Sequence, residues 1–205
     1  MKKTLFSILV TLLGLNATAF AKDVSTANGS SHLNGGEYDS LEVNGSLMFK
    51  DLFVKDTIVV NGSIQGKNLK CYRLESNGSV DVDGLLAQGV EINGSFSGQN
   101  IDIAGDAEFN GGVEVKNGKL HDIQIKSITS TITDSQVNGN ICIKKVNKGP
   151  SFFGFKSNES STQILELKGC SIVSGNVVFQ KNGEVHLFDR AKVEGEIIKA
   201  KVIKK

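Results

Sequence analysis

The chain has no tryptophan, one proline and two tyrosines, and aromatic residues make up only 6% of it. A core with so few large rings must be filled by Val, Ile and Leu, a composition that belongs to strands. Charge of one sign is also missing: 23 Lys and Arg against 22 Asp and Glu leave a net +1. That balance argues against nucleic-acid binding, which draws on clustered Lys and Arg. Arginine occurs only at Arg73 and Arg190, too sparsely for a lyase that must neutralise acidic sugars.

Chemical motifs are equally scarce. His32, His121 and His186 lie far apart, with no Cys or His at ligand spacing, so no zinc site is expected. There is no Gly-x-Ser-x-Gly nucleophile turn and no Gly-Lys-Ser/Thr phosphate loop, and nothing points to a cofactor. The one carboxylate pair that invites acid/base work is Asp81 and Asp83 in "VDVDG", two apart on the outward side of a strand whose Val80 and Val82 point inward. Solvated outward charge is the simpler reading of that pair.

The two ends carry different signals. "MKKTLFSILVTLLGLNATAFA" has a lysine pair, an apolar run from Leu5 to Leu15 and small residues Ala19 and Ala21, the layout of a secretory signal peptide cleaved after Ala21. The run is shorter than the roughly 20 apolar residues that span a bilayer. Residues 1–21 are thus read as a signal peptide, and the remaining chain as periplasmic, cell-surface or secreted, with no stable transmembrane segment. At the other end "IIKAKVIKK" alternates apolar residues with lysine, as an edge strand with one charged face does; the lysines would discourage further strand addition.

Glycine is abundant, with 23 residues, and much of it recurs in one setting. "VNGSL" at 43–47 returns as "VNGSI" at 60–64, "SNGSV" at 76–80 and "INGSF" at 92–96. Looser copies follow: "FNGGV" at 109–113, "VNGNI" at 137–141, "VSGNV" at 173–177 and "VEGEI" at 193–197. The gaps between copies are 17, 16, 16, 17, 28, 36 and 20. Around the first copies the apolar residues alternate, as in Leu41 and Val43, then Leu47 and Phe49. Period two means strand with one buried face. Asn-Gly also suits a two-residue hairpin, but a constant spacing of 16 or 17 is what a coil returning to the same point requires.

The expected fold is therefore all-β, a single-stranded parallel β-helix (solenoid) with coils of about 16–17 residues. Each Asn-Gly turns a corner, with Gly45, Gly62, Gly78, Gly94, Gly111 and Gly139 relieving the Cβ penalty of a positive-φ bend. Asn44, Asn61, Asn77, Asn93, Asn110 and Asn138 then stack as an amide ladder. Residues 22–36 read as a flexible polar lead, and 37–205 as the solenoid, with irregular inserts at 116–136 and 144–163. The second insert holds Phe152, Phe153 and Phe155, a candidate partner contact. It is flanked by Cys142 and Cys170, whose disulfide would close it; with Cys71 the cysteines are odd in number, and unpaired thiols acting as small apolar residues are the alternative.

Glycine turns between short Val/Ile-rich strands, a coil near 17 residues and endings such as "VEGEI" make 38–115 and 164–200 resemble the bactofilins, the polymer-forming cytoskeletal proteins. The resemblance implies a small right-handed β-helix that polymerises end to end without nucleotide and serves as a scaffold. Those proteins are cytoplasmic, whereas this chain opens with an export signal. The expected role is a non-enzymatic exported solenoid acting through assembly or surface contact, with itself or with an envelope or host surface component as partner. A secreted carbohydrate-binding or polysaccharide-cleaving β-helix is the alternative.

Overall fold

A computed structural model describes residues 25–146 and 162–205. Every regular element among them is a strand, and every strand pairing is parallel, so the hairpin meander is excluded. Each coil but the last contributes three short strands joined by three corners, and the last ends on its second strand. The first face carries, in successive coils, Ser25–Asn28, Leu41–Asn44, 58–61, 73–76, Gly89–Ile92, Ala107–Phe109, Ile123–Ile125, Ile141–Ile143, 177–179 and 197–198, which makes ten coils. The second face begins at Ser31–Asn34 and ends at 200–204; the third begins at Glu37–Tyr38 and ends at Lys192–Val193.

Register is what makes the stack a core. Leu41, Ile58, Leu74, Val90, Ala107, Ile123, Ile141, Val177 and Ile197 lie directly above one another, and all but the last are buried. Apolar side chains thus meet their own kind in the next coil, each contributing roughly 1.5–3 kcal/mol on full burial. Where a ring enters this interior, a glycine in a neighbouring position leaves room for it. Gly66 lies against the Phe49 ring and Gly98 against the Phe96 ring, while Phe96 and Phe109 stack at 4.8 Å between ring centres.

Two expectations need correction. The lead at 22–36 is a coil from Ser25 onward: 25–28 pairs with 41–44, and 31–34 with 47–50. Its polar residues form strands because their backbone groups bond to the neighbouring coil, and this holds even for Ser31, in line with buried Leu47. The stretch 116–136 is no insert. Val113–Leu120 pairs in register with 96–103 on one side and with 130–133 and 136–137 on the other. The spacing of 28 that suggested an insert joins two different corners, since 109 aligns with 125 and 120 with 137. The remaining departure falls between Ile143 and Gln163, at the corner from first to second face. Phe152, Phe153 and Phe155 lie outside the described residues, as does the stretch 1–21 read as a signal peptide.

The glycines at the first corner are required by space. A Cβ on Gly62 would overlap the carbonyl oxygen of Gly45, and one on Gly78 would overlap that of Gly62. Gly62 has φ 152°, whereas Gly78 is not among the positive-φ residues, so backbone handedness is not the shared cause. We expect Gly62→Ala to lower stability by roughly 1–3 kcal/mol, the usual cost of overpacking. Gly112→Ala, with nothing within 4 Å of its added Cβ, should change urea unfolding little.

Candidate functional site: corners, side faces and open ends

Each corner has its own stacking chemistry. At the first, Asn44 Nδ2 donates to Asn28 Oδ1 at 3.3 Å, Asn61 to Asn44 at 2.9 Å and Asn77 to Asn61 at 2.8 Å. Asn93 continues to Asn77 at 3.1 Å and Asn110 to Asn93 at 2.9 Å. The expected ladder thus holds for five of its six asparagines and gains Asn28, which lies in the supposed lead. Asn138 and Gly139 are not part of it. They sit at the corner from third to first face, because Val137 stacks on Leu120 and Val173. That corner has a different ladder, in which a side-chain oxygen accepts a backbone N–H from the next coil. Asn140 N donates to Asp122 Oδ1 at 2.7 Å, Asn176 N to Asn140 Oδ1 at 2.9 Å and Glu196 N to Asn176 Oδ1 at 2.8 Å. The Asn140 amide holds the Asp122 carboxyl below its usual range.

The second corner escaped sequence reading. Gly35, Asp51, Asn68, Gly84, Asn100, Asn117, Asp134, Gly169 and Asp189 occupy it in successive coils, all left-handed with φ between 48° and 87°. Gly, Asn and Asp are the residues that tolerate this bend. Asn68 Nδ2 donates to Asp51 Oδ1 at 2.6 Å and Asn100 Nδ2 to Asp83 Oδ1 at 2.7 Å. The signal was present from Gly35 to Asp134 as a 16- or 17-residue recurrence of these three residue types, without an invariant pentapeptide to reveal it.

On the side faces, several carboxylates are taken up by neighbours. Asp83 receives Asn100 and stands 3.7 Å from Lys67 Nζ, while Asp81 Oδ2 accepts from Gln65 at 3.5 Å. Arg73 ties Glu75 at 2.6 Å to Glu91 at 2.8 Å. His186, outward yet nearly buried, contacts Glu184 at 2.8 Å. Glu166 lies 4.0 Å from His186, and its carboxyl is held low chiefly by Lys168. A shallow cleft of about 300 Å³ lies over the third face between Phe53, Lys70, Tyr72 and Leu86. Among the described residues no cluster of three or more His, Cys, Asp or Glu is arranged to hold a metal ion.

The cysteines are free, which overturns the proposed bridge. Cys142 faces outward on the first face, whereas Cys170 is at the corner between second and third, where its Sγ accepts from Arg190 Nη2 at 2.8 Å. Cys71 matches the alternative, buried in the third-face core column between Val54 and Ala87.

The ends differ from the middle. Val202 stacks on Val185 in the same inward column, yet Val185 is 0% exposed and Val202 42%. Val193, Ile197 and Ala200 are likewise only partly covered. Among the described residues, the strand at 197–204 pairs on one side alone, and at the opposite end so do 25–28, 31–34 and 37–38. The first coil carries Glu37 and Asp39, both held by Lys55 Nζ at 2.9 and 3.0 Å, which keeps the Lys55 ammonium above its usual pKa.

Two measurements check these assignments. Asn77→Ala removes two amide bonds and should cost about 1–2 kcal/mol, whereas Asn138→Ala should stay within about 0.5 kcal/mol in urea unfolding. Burial pushes the Cys71 thiol up to about 12. Thiol-reactive dye at neutral pH should therefore label exposed Cys170 in the folded protein and reach Cys71 only in denaturant. No protein-family model matches the chain, and neither a curated protein nor a solved structure matches it, so the likeness to bactofilins rests on the repeat alone.

Proposed function

We propose that the protein is a non-enzymatic, exported structural solenoid that acts by assembling through its terminal coils. The observation that carries this reading is the uncovered core position at Val202, 42% exposed where its partner one coil inward is 0%. A coil of this kind reaches full burial only between two neighbours, and an open one presents both apolar side chains and unpaired backbone groups. Export is read from residues 1–21, and a role outside the cytoplasm follows from it. The side faces support the same reading, since Asp81, Asp83, Glu75 and Glu91 spend their carboxylates on neighbours within the solenoid. A surface or envelope scaffold built from stacked solenoids is the role that fits.

Sedimentation of the purified protein over a concentration series, with the same samples viewed by electron microscopy, tests it. Assemblies that grow with concentration are expected. Val202→Glu, a change at an exposed position, should leave the melting temperature nearly unchanged and return the protein to monomer. A wild-type protein that stays monomeric at every concentration would overturn the reading.

A further inference from the structure

Given the assembly reading, on which this inference rests, we propose that the joint is polar: the C-terminal coil of one copy seats on the N-terminal coil of the next, so that the solenoid continues in register across the joint. Three observations point this way.

The first is charge. From 189 to 205 the side chains comprise six basic and three acidic groups, net +3, whereas 25–40 holds Glu37 and Asp39 with no Lys or Arg, net −2. Joining like ends would set lysines against lysines or carboxylates against carboxylates, and directly opposed like charges are destabilising. Joining unlike ends sets the two signs together.

The second is register. The third-face column runs Tyr38, Val54, Cys71, Ala87, Ile103, Leu120, Val137, Val173 and Val193 without slipping. Carried one coil further, it sets Val193 on Tyr38 of a second copy and Lys192 on that copy's Glu37. On the second face the column from Ser31 and Leu47 to Val185 and Val202 closes in the same way, bringing exposed Val202 over Ser31 and beside half-buried Leu33. Two unfavourable pairs result: Lys204, which ends the inward column that begins at Leu33, falls on that apolar residue, and Glu194 falls opposite Asp39. Two lysines are shared across the joint: Lys192 Nζ lies 2.6 Å from Glu194, and Lys55 Nζ 2.9 Å from Glu37 and 3.0 Å from Asp39, so the Lys192–Glu37 pair forms beside contacts that both groups already make.

The third is the direction of the first-corner ladder. Every asparagine from Asn44 to Asn110 donates its Nδ2 toward the N-terminal side, and Asn28 through Asn93 accept from the coil after them. These first six coils therefore share one donor direction, which head-to-tail joining keeps the same from copy to copy and like-end joining reverses.

Carbodiimide cross-linking of the assembled wild-type protein, followed by peptide mass spectrometry, reads the joint without any substitution. Lys192 and Glu37 stand at opposite ends of a ten-coil stack, so a bond between them arises only between copies. The expected result is a Lys192–Glu37 cross-linked peptide that appears with assembly. Lys192→Glu should raise the concentration for half-assembly about tenfold, and adding Glu37→Lys in the same chain should restore it. Assemblies that yield only links between like ends, or a double variant no better than Lys192→Glu alone when both keep the wild-type melting temperature, would overturn the polar joint and leave assembly standing. A protein that forms no assemblies would overturn the reading beneath it.

Discussion

Coil-to-coil contact at the first corner sets the terms for everything else in this molecule. The carbonyl of one corner glycine lies where a side chain on the glycine above would have to be, and the spacing of strands across a sheet, about 4.8 Å, leaves no slack. With that contact fixed, the register of the three faces follows. A shift of one residue would turn every Val, Ile and Leu of a strand outward. The asparagines beside those glycines add amide bonds to a geometry already imposed by the backbone, so they reinforce the stack and do not define it.

Interior and exterior obey different rules because of this arrangement. Inside, side chains meet the same column in the next coil, and a large ring such as Phe49 or Phe96 is accommodated by a glycine nearby. Outside, charged groups find partners one coil away, as in the Arg73 bridge between Glu75 and Glu91. Parts of the surface are thereby tied together along the stack, and a shallow cleft is set over Phe53, Tyr72 and Leu86. Such a molecule offers its least satisfied groups at the ends.

Much of this was legible in the sequence because repetition makes weak signals additive. Alternating Val, Ile and Leu around each Asn-Gly identified strands, and constant spacing identified parallel coils. What misled was the assumption that one motif marks one corner. Val137-Asn138-Gly139 resembles Val43-Asn44-Gly45 in spelling, but the residue that matters at 138–140 is Asn140, which receives a backbone N–H from Asn176. The left-handed corner was hidden for the opposite reason: Gly, Asn and Asp solve the same backbone problem, so no single letter repeats. Openness of the C-terminal coil was only half visible. The lysines of "IIKAKVIKK" announced an edge, while the exposure of Val202 depends on what lies above it in space.

The change of corner between Asn110 and Asp122 also bears on how the solenoid comes apart. Amide side chains bind the first coils together at one corner, and from Asp122 onward a different corner takes over, with the donor now the backbone. Neither column runs the whole length. In a stack whose stability is a sum of nearest-neighbour terms, the hand-over leaves no interface without a side-chain tie, because the coil of Asn110 is held on one side through Asn93 and on the other through Asp122.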